Sequence, residues 1–474
     1  MKGKIGLFAG GIEQYWKDAG MKELPQRLDA DARRLATALG GEFDVVFPGL
    51  AGNVADARKI GKILRDEEVE LAVMYHATYI DDAMTVAFLK EIGGIYPVLF
   101  HSQGFTSFQE PMDLTNLGRS WGNNSSVQLS GTMKRLKPHV KFGYVFGGLE
   151  NPRSLREIQE YALAARAVNN LNGQRVGFLP HRCLGVPMYD TYPDETKMIG
   201  QTGIEIDYLY ILELVKEMEA VKDSDCKRLV DELYERYEVV EPPKEEIDLT
   251  ARQALALERL VEKNNIHALA IDFSARLIPL TGAMPCVGMA RLIDSGIVVA
   301  SEGDLSVSVA GLIIKDITGK PVHFWEHLAF DEEKNWILGG HEGGSAGFTM
   351  AKERTRPKLR CNQYINWEGI PGAPHYGVVP EFITNPGPVT LVTFYRGPEA
   401  YEMRLASGES VDLDPLPVHY EHTVFKPCVD LNTYFRRIAE VGVCHHFALV
   451  HAEIAGELKK VAEIMGMKVE CLTG

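Results

Sequence analysis

Glu302 stands at a position where a carboxylate is difficult to explain by structure alone. It closely follows the β-branched run 297–299, so its side chain is expected at the buried end of a strand. Desolvating an ionised carboxylate is costly unless a cation or a hydrogen-bond donor pairs with it. The structural alternative is that Asp304 or Ser301 caps a helix beginning here, but a cap does not account for Glu302.

Glu326 is a second carboxylate, placed inside an aromatic segment that is expected to be a strand. Alternation puts it on the same face as Phe324 and Leu328, while Trp325 and His327 face the other way. An unpaired charge among apolar neighbours would be expensive, so a partner is indicated. The alternative is that this face is open to solvent, as one face of an antiparallel sheet often is.

Two histidines could complete a metal site with these carboxylates. His341 lies between glycines, which allow close backbone approach and unusual φ values but also occur in plain turns. His446 belongs to the pair His445-His446, in which one ligand beside one packed or solvated neighbour is a common arrangement. Two carboxylates and two neutral imidazoles suit Mn²⁺, Co²⁺ or Mg²⁺ better than a structural zinc. The residues are far apart in the chain, so their spacing does not establish a site by itself.

The first 150 residues alternate short apolar runs with amphipathic stretches, which predicts a parallel sheet covered on both faces by helices. The predicted strands are Ile5–Ala9, Asp44–Phe47, Leu71–Tyr75, Val98–Phe100 and Phe142–Phe146, and the predicted helices are Lys22–Leu39, Ala55–Arg65 and Ala83–Ile92. Ligands of such sheets bind beyond the carboxyl ends of the strands. The functional edge would therefore contain Gly10–Tyr15, His76–Tyr79 and His101–Gln103.

A second α/β block is expected in residues 151–318, and residues 319–474 change to strands separated by Gly/Pro turns. The second block has predicted strands Arg175–Leu179, Ala268–Phe273 and Ile297–Ala300, with predicted helices Ser154–Val168, Tyr208–Glu219, Asp225–Tyr234, Thr250–Lys263 and Val287–Ser295. The last block has predicted strands Val322–Phe330, Trp336–Gly339, Val389–Tyr395 and Tyr401–Leu405. These suggest a barrel closed by a terminal helix from about His451 to Met465. The predicted fold is α/β, with two doubly wound parallel-sheet domains followed by an antiparallel β-barrel-like C-terminal domain.

The composition is that of a globular protein, with 474 residues of which 45% are apolar and 24% charged. The formal net charge of −15 argues against nucleic acid or an anionic membrane as a partner and is compatible with a neutral polyol ligand. The seven cysteines are scattered and lack a Cys-x-x-Cys motif, which argues against a disulfide framework and a thiolate zinc site. The N-terminal apolar run is too short for a secretory signal and no long apolar span follows, so a cytoplasmic location is expected.

The order and intervals of the candidate motifs resemble those of the L-arabinose isomerases. The motifs are Ser301-Glu302-Gly303-Asp304, Glu326, Leu338-Gly339-Gly340-His341 and His445-His446, with weaker similarity along most of the chain. The resemblance implies that Glu302, Glu326, His341 and His446 bind one divalent cation, Mn²⁺ or else Co²⁺ or Mg²⁺. It also implies an aldose–ketose isomerase that converts L-arabinose to L-ribulose, and D-galactose to D-tagatose, through an enediol. Glu302 and Glu326 would be the catalytic proton-transfer groups.

Two N-terminal segments depart from the family pattern. Residues 10–16 read Gly-Gly-Ile-Glu-Gln-Tyr-Trp where the family usually has Gly-Ser-Gln-His-Leu-Tyr-Gly, and residues 121–126 read Trp-Gly-Asn-Asn-Ser-Ser in place of Gln-Thr-x-His-Gly-Gly. In the family these segments contact the monosaccharide across a subunit boundary, so the resemblance implies a homo-oligomer, a trimer-based hexamer, with shared active sites. The candidate sugar-binding residues are Phe273, Tyr79 and Gln14. The departures leave the identity of the sugar open.

Other functions are compatible with the sequence. Another isomerase of the superfamily could act on L-fucose, D-arabinose or a modified sugar, and the same ligands could activate water for hydrolysis. A non-catalytic sugar-binding protein would need no metal and gives no reason for Glu302 and Glu326 to meet. A nicotinamide-dependent dehydrogenase is not supported, because Gly-x-Gly-x-x-Gly is absent after the first predicted strand.

Overall fold

The structure, a computed structural model, describes residues 3–17, 20–41, 43–108, 112–136, 140–179, 188–272, 277–341, 343–361 and 377–474. They form two units. Unit 1 comprises Met1–Asn169 with Gly456–Gly466, and unit 2 comprises Asn170–Ala455 with Met467–Gly474. The predicted domain boundaries near residues 150 and 318 stay a prediction.

The chain up to Leu171 alternates strands and helices. Its elements are β1 (Gly3–Gly10), α1 (Gln14–Lys17), α2 (Leu24–Leu39), β2 (Phe43–Val46), β3 (Leu50–Ala51), α3 (Val54–Asp66), β4 (Leu71–Tyr75), α4 (Asp82–Ile92), β5 (Tyr96–His101), α5 (Leu114–Gly118), α6 (Gly122–Met133), β6 (Gly143–Phe146) and α7 (Pro152–Leu171). The sheet is parallel with the order β2-β1-β4-β5-β6, and β3 also pairs with β1.

Strand β1 is apolar on both faces because helices cover both faces of this sheet. Ile5 and Leu7 share a core with Leu24 and other residues of α2. Phe8 points to the opposite core, where its ring stacks on Phe88 of α4 at 4.2 Å. The predicted parallel sheet of the N-terminal region is confirmed.

A second parallel sheet lies in unit 2. The elements up to Thr318 are β7 (Arg175–Leu179), α8 (Glu195–Thr202), β8 (Glu205–Tyr208), α9 (Ile211–Ala220), α10 (Asp223–Arg236), β9 (Glu238–Val239), α11 (Lys244–Lys263), β10 (Ala268–Ile271), α12 (Leu277–Thr281), α13 (Cys286–Asp294), β11 (Val298–Ser301) and α14 (Leu305–Thr318). The strand order is β11-β10-β7-β8, and all three pairings are parallel.

Strand β8 lies where the sequence predicted the start of a helix at Tyr208. Tyr208 instead ends β8, and the helix α9 begins at Ile211. The strand is at the edge of its sheet and its residues are exposed or half-buried, so it lacks the continuous apolar run of a central strand.

The remaining chain contains an antiparallel barrel, which belongs to unit 2. The remaining elements are β12 (His323–Asp331), β13 (Trp336–Gly340), a 3-10 helix (Phe348–Met350), β14 (Lys358–Cys361), β15 (Val378–Ile383), β16 (Gly387–Arg396), β17 (Tyr401–Ser410), β18 (Glu421–Pro427), α15 (Leu431–Val441), β19 (Phe447–Val450), α16 (Ala455–Met465) and β20 (Val469–Cys471). Antiparallel pairing runs through β17, β16, β19, β12, β13 and β18 and returns to β17. The ring is therefore closed by backbone hydrogen bonds, and the predicted fold class is confirmed.

The terminal helix does not close the barrel, and the expectation that it would is wrong. Most of α16 belongs to unit 1, where Lys460 Nζ lies 2.8 Å from Glu157 Oε1 and Tyr161 Oη donates to Glu463 Oε2 at 2.8 Å. Sequence periodicity shows that a helix has an apolar face but not which neighbour receives that face.

The interior of the barrel is apolar and largely aromatic. Trp325, Ile337, Phe425 and Phe447 are fully buried there, and Tyr434 of α15 joins the same core. No helix among the described residues is long and apolar enough to cross a membrane.

Candidate active site

Glu302 occupies an unusual backbone conformation at the carboxyl end of β11. The strand ends at Ser301, and Glu302 has a φ of 57°. A left-handed conformation costs a non-glycine residue about 1–3 kcal/mol and persists only where the surroundings enforce it, often at functional sites. Gly303 follows with a φ of 67°, and this double turn leads directly into α14. The side chain of Glu302 is only 14% exposed.

Asp304 links this turn to His446. Its Oδ1 accepts the backbone N–H groups of Ser306 at 2.7 Å and Val307 at 3.0 Å, which makes it the N-cap of α14 as the structural alternative expected. Its Oδ2 lies 2.9 Å from His446 Nδ1. A carboxylate only accepts, so Nδ1 carries the proton and Nε2 of His446 presents its lone pair.

Glu326 and His341 come from the paired barrel strands β12 and β13. Glu326 is in register with Gly340, so it lies opposite the residue that precedes His341. Phe324 packs beside the histidines, with its ring 4.8 Å from the ring of His341 and 4.5 Å from that of His446. An apolar wall on one side of the imidazoles limits their freedom to rotate.

The alternation predicted along β12 ends at a bulge. The register with β13 shifts between His327 and Ala329, and Leu328 is 38% exposed. His327 faces the barrel core, where its Nε2 lies 3.0 Å from Tyr434 Oη.

The structure brings together all four predicted ligands, which are remote from one another in sequence. Glu302 Oε1 lies 3.7 Å from His341 Nε2, and Glu302 Oε2 lies 3.5 Å from His446 Nε2. Glu326 Oε2 lies 4.0 Å from the same nitrogen of His446. One donor atom each of Glu326, His341 and His446 can be chosen so that all lie within 4.8 Å of one another.

The electrostatics of this cluster favour an ionised Glu302. Burial raises the pKa of Glu302, but the neighbouring imidazoles of His341 and His446 outweigh this effect and lower the pKa to about 2. Glu302 Oε2 and His446 Nε2 are buried and have no hydrogen-bond partner within the described part of the chain. Buried polar atoms are normally paired, so two such acceptors 3.5 Å apart fit a cation bound by both.

His445, the neighbour of His446, is held by a carboxylate that the sequence did not single out. Asp190 Oδ2 accepts the backbone N–H of His445 at 2.9 Å and lies 2.6 Å from its Nδ1. Burial lowers the pKa of His445, but this hydrogen bond outweighs it and the pKa is raised. Asp190 lies 255 residues before His445, and no local pattern could have joined them.

Two of the three predicted sugar-binding residues belong to unit 1, whereas the four predicted metal ligands belong to unit 2. Gln14 and Tyr79 belong to unit 1, where Gln14 is exposed and Tyr79 Oη donates to Gln128 Oε1 at 2.6 Å. Phe273 lies outside the described residues. The sugar-binding role of these three residues stays a prediction.

Comparison with known proteins places this chain among sugar isomerases. Residues 191–319 match the model of the L-arabinose isomerase central domain. The chain is 24% identical over 466 residues to L-arabinose isomerase 1 of Bacillus licheniformis, covering 94% of this chain and 90% of that protein.

Sulfoquinovose isomerases are also similar. The protein of Alkalicoccus urumqiensis is 24% identical over 219 residues, which cover 45% of this chain and 46% of the relative. The protein of Priestia aryabhattai is 19% identical over 349 residues, 73% of this chain and 75% of the relative. The matched domain and these relatives bear out the resemblance found in the sequence: the chain is similar to the L-arabinose isomerases and to other aldose–ketose isomerases.

Proposed function

We propose that the protein interconverts an aldose and its ketose at the cluster of Glu302, Glu326, His341 and His446, with one divalent cation bound there. The observation that carries this proposal is the convergence of two carboxylates and two imidazoles from four separate segments, with the buried atoms Glu302 Oε2 and His446 Nε2 3.5 Å apart. Mn²⁺, Co²⁺ and Mg²⁺ accept such a mixed oxygen and nitrogen set.

Isomerisation moves a carbon-bound proton from C2 to C1 and a hydroxyl proton from O2 to O1. When bound, a divalent cation supplies Lewis acidity toward the sugar oxygens. Glu302 and Glu326 are the groups of this cluster that can accept and return a proton in this sequence, one serving the carbon and the other the hydroxyl. Each such group typically contributes about 10²–10⁴-fold to the rate.

The imidazoles of His341 and His446 serve as positioned metal ligands and not as proton-transfer groups. His446 is locked by Asp304, which fixes its tautomer and ring plane. Phe324 packs beside both histidines and excludes water from that side of the site. Positioning of this kind lowers the barrier because the reacting groups need not be ordered during the reaction.

L-arabinose is the first candidate substrate, since the relative that aligns over 94% of this chain is named for it. Sulfoquinovose, a sugar carrying a sulfonate, is the second candidate, because other relatives are named for that substrate. Residues 10–16 and 121–126 depart from the arabinose isomerase pattern, and this supports sulfoquinovose as a candidate beside L-arabinose.

The decisive experiment strips the protein with a chelator, restores Mn²⁺, Co²⁺ or Mg²⁺ separately, and measures ketose formation from L-arabinose, D-galactose, L-fucose and sulfoquinovose. We expect activity on one of these sugars only after metal is restored. Glu302→Gln and Glu326→Gln should each lower kcat by about 10²–10⁴-fold. A matched control is Glu381→Gln, a buried glutamate of β15 paired with Lys358 and Arg360.

Full activity in both glutamine variants, or turnover that is unchanged after metal removal, would contradict the proposal. Binding of a sugar without turnover would favour a sugar-binding protein instead.

A further inference from the structure

Glu421 carries a carboxyl group at the start of β18 that the proposed chemistry does not use. It is 0% exposed, so its carboxyl group is removed from water. Placing a carboxyl group there is costly and requires compensation by hydrogen bonds. Its Oε1 accepts the backbone N–H of Gly344 at 2.9 Å, whereas Oε2 is buried without a hydrogen-bond partner among the residues described.

Gly344 belongs to the segment that carries one of the proposed ligands. We call His341 with residues 343–346 the His341 turn. Gly343 and Gly344 have φ values of 68° and 72°, a left-handed conformation that glycine adopts freely and that no side chain of their own holds in place. Gly343 N also donates to His341 O at 2.7 Å, which couples the glycines directly to the histidine.

The backbone of Glu421 lies close to Gly340, the residue that precedes this turn. Gly340 is in register with His422, and a Cβ added at Gly340 would lie 2.4 Å from Glu421 O. The residue thus contacts the chain just before His341 through its carbonyl and just after it through its side chain. Burial raises the pKa of the Glu421 carboxyl group to about 8, although the backbone amides of Gly344 and Ala346 and, to a smaller extent, His341 lower it.

The far side of the turn has a second support of a different kind. Ser345 O accepts the N–H of Phe324 at 2.8 Å, and Ser345 Oγ lies 3.3 Å from His323 Nε2. These contacts tie the turn to β12, whereas the Gly344 N–H is accepted by Glu421 of β18.

We propose that Glu421 is a positioning residue for His341: by accepting the amide proton of Gly344 it fixes the His341 turn and so sets the affinity of the site for its cation. This inference rests on the proposed function, because it presumes that His341 is a ligand. Loss of a group that orients a ligand typically costs 10- to 100-fold in metal affinity.

The test compares Mn²⁺ affinity, by titration calorimetry at neutral pH, for the wild type, Glu421→Met, Glu421→Ala and Glu421→Gln. Met and Ala remove the acceptor with different changes of volume, so loss of one variant to misfolding leaves the other. We expect about 10- to 100-fold weaker binding in both. Gln keeps an acceptor for Gly344 N–H and should restore the affinity to within about threefold of the wild type. Glu381→Gln is the matched control and should bind like the wild type.

Hydrogen exchange on the wild type gives a readout that needs no variant. A peptide covering residues 343–350 should be protected in the metal-free protein, and adding Mn²⁺ should slow its exchange further. Equal Mn²⁺ affinity in the wild type and in a folded Met or Ala variant overturns the role of Glu421 while leaving the proposed function intact. Absence of Mn²⁺ binding in the wild type itself overturns both.

Discussion

At the scale of single residues, Asp304 shows how one side chain can serve the fold and the site together. One of its oxygens caps α14, and the other lies 2.9 Å from His446 Nδ1. Asp304→Asn keeps an oxygen for the cap but places an N–H₂ group opposite Nδ1, which favours the wrong tautomer of His446. We expect metal affinity to fall about 10- to 100-fold with little loss of stability.

Calorimetric titration with Mn²⁺ and a thermal melt of the metal-free variant separate these two effects. Asp430→Asn is the matched control, because Asp430 caps α15 through Thr433 N–H without contacting a proposed ligand. An Asp304→Asn protein that melts far lower but binds metal normally would show that Asp304 serves the helix alone.

His76 gives a prediction for the dependence of stability on pH. It is 1% exposed, and burial, followed by the charge of His101, lowers its pKa to about 3. In the unfolded chain a histidine titrates near about 6.5. Between these values the unfolded state binds a proton that the folded state does not, so stability is lost as the pH falls through this window.

We expect acidification from about pH 6.5 to pH 5 to destabilise the wild type by about 1.5 kcal/mol more than His76→Gln. Glutamine can both donate and accept, so it can still hydrogen-bond to Ser125 Oγ, which lies 3.0 Å from His76 Nδ1. Urea midpoints of unit 1 at the two pH values measure the difference. Parallel shifts in both proteins would assign the acid sensitivity to other groups.

At the scale of elements, the hairpin β12–β13 and its neighbour β18 set the geometry of the site. A Cβ at Gly340 would lie 2.4 Å from the backbone oxygen of Glu421, and backbone atoms cannot move aside as a flexible side chain can. We therefore expect Gly340→Ala to separate the two strands, displace His341 and lower both the melting temperature and the Mn²⁺ affinity.

Gly131→Ala is the control for this substitution. Gly131 lies in α6 of unit 1, and nothing lies within 4 Å of a Cβ added there. Alanine in a helix interior should stabilise the protein by about 0.5–1 kcal/mol and leave metal binding unchanged. Comparable Mn²⁺ affinities in the two alanine variants would mean that the close strand contact is not needed for the site.

At the scale of the whole molecule, the proposed ligands belong to unit 2 alone, and metal binding should stabilise that unit. A ligand that binds only the folded state at about 100 times its Kd adds about 2.7 kcal/mol. We expect Mn²⁺ to slow hydrogen exchange in peptides around Glu302, Glu326, His341 and His446, with little change in β1 and β4 of unit 1. A chelator should reverse the effect. Protection that rises only in unit 1 would place the cation elsewhere.

The sequence by itself indicated many of the local elements and the candidate ligands. Leu71–Tyr75 and Arg175–Leu179 begin and end as predicted, because a strand covered on both faces must be apolar throughout. Glu302 was recognisable because it closely follows an apolar strand, and Glu326 because it interrupts an aromatic one. The bulge after His327 was not recognisable, since a register shift depends on the partner strand.

Only the tertiary structure decided which groups hydrogen-bond to those ligands and to the residues beside them. Asp304 for His446, Asp190 for His445 and Glu421 for the His341 turn are each brought to their partners by the chain's path, over separations of 142, 255 and 77 residues. The packing of α16 in unit 1 was decided in the same way. Periodicity records whether a residue faces a core, but a hydrogen bond between remote segments leaves no periodic trace, and its partner emerges only when the sheets are assembled.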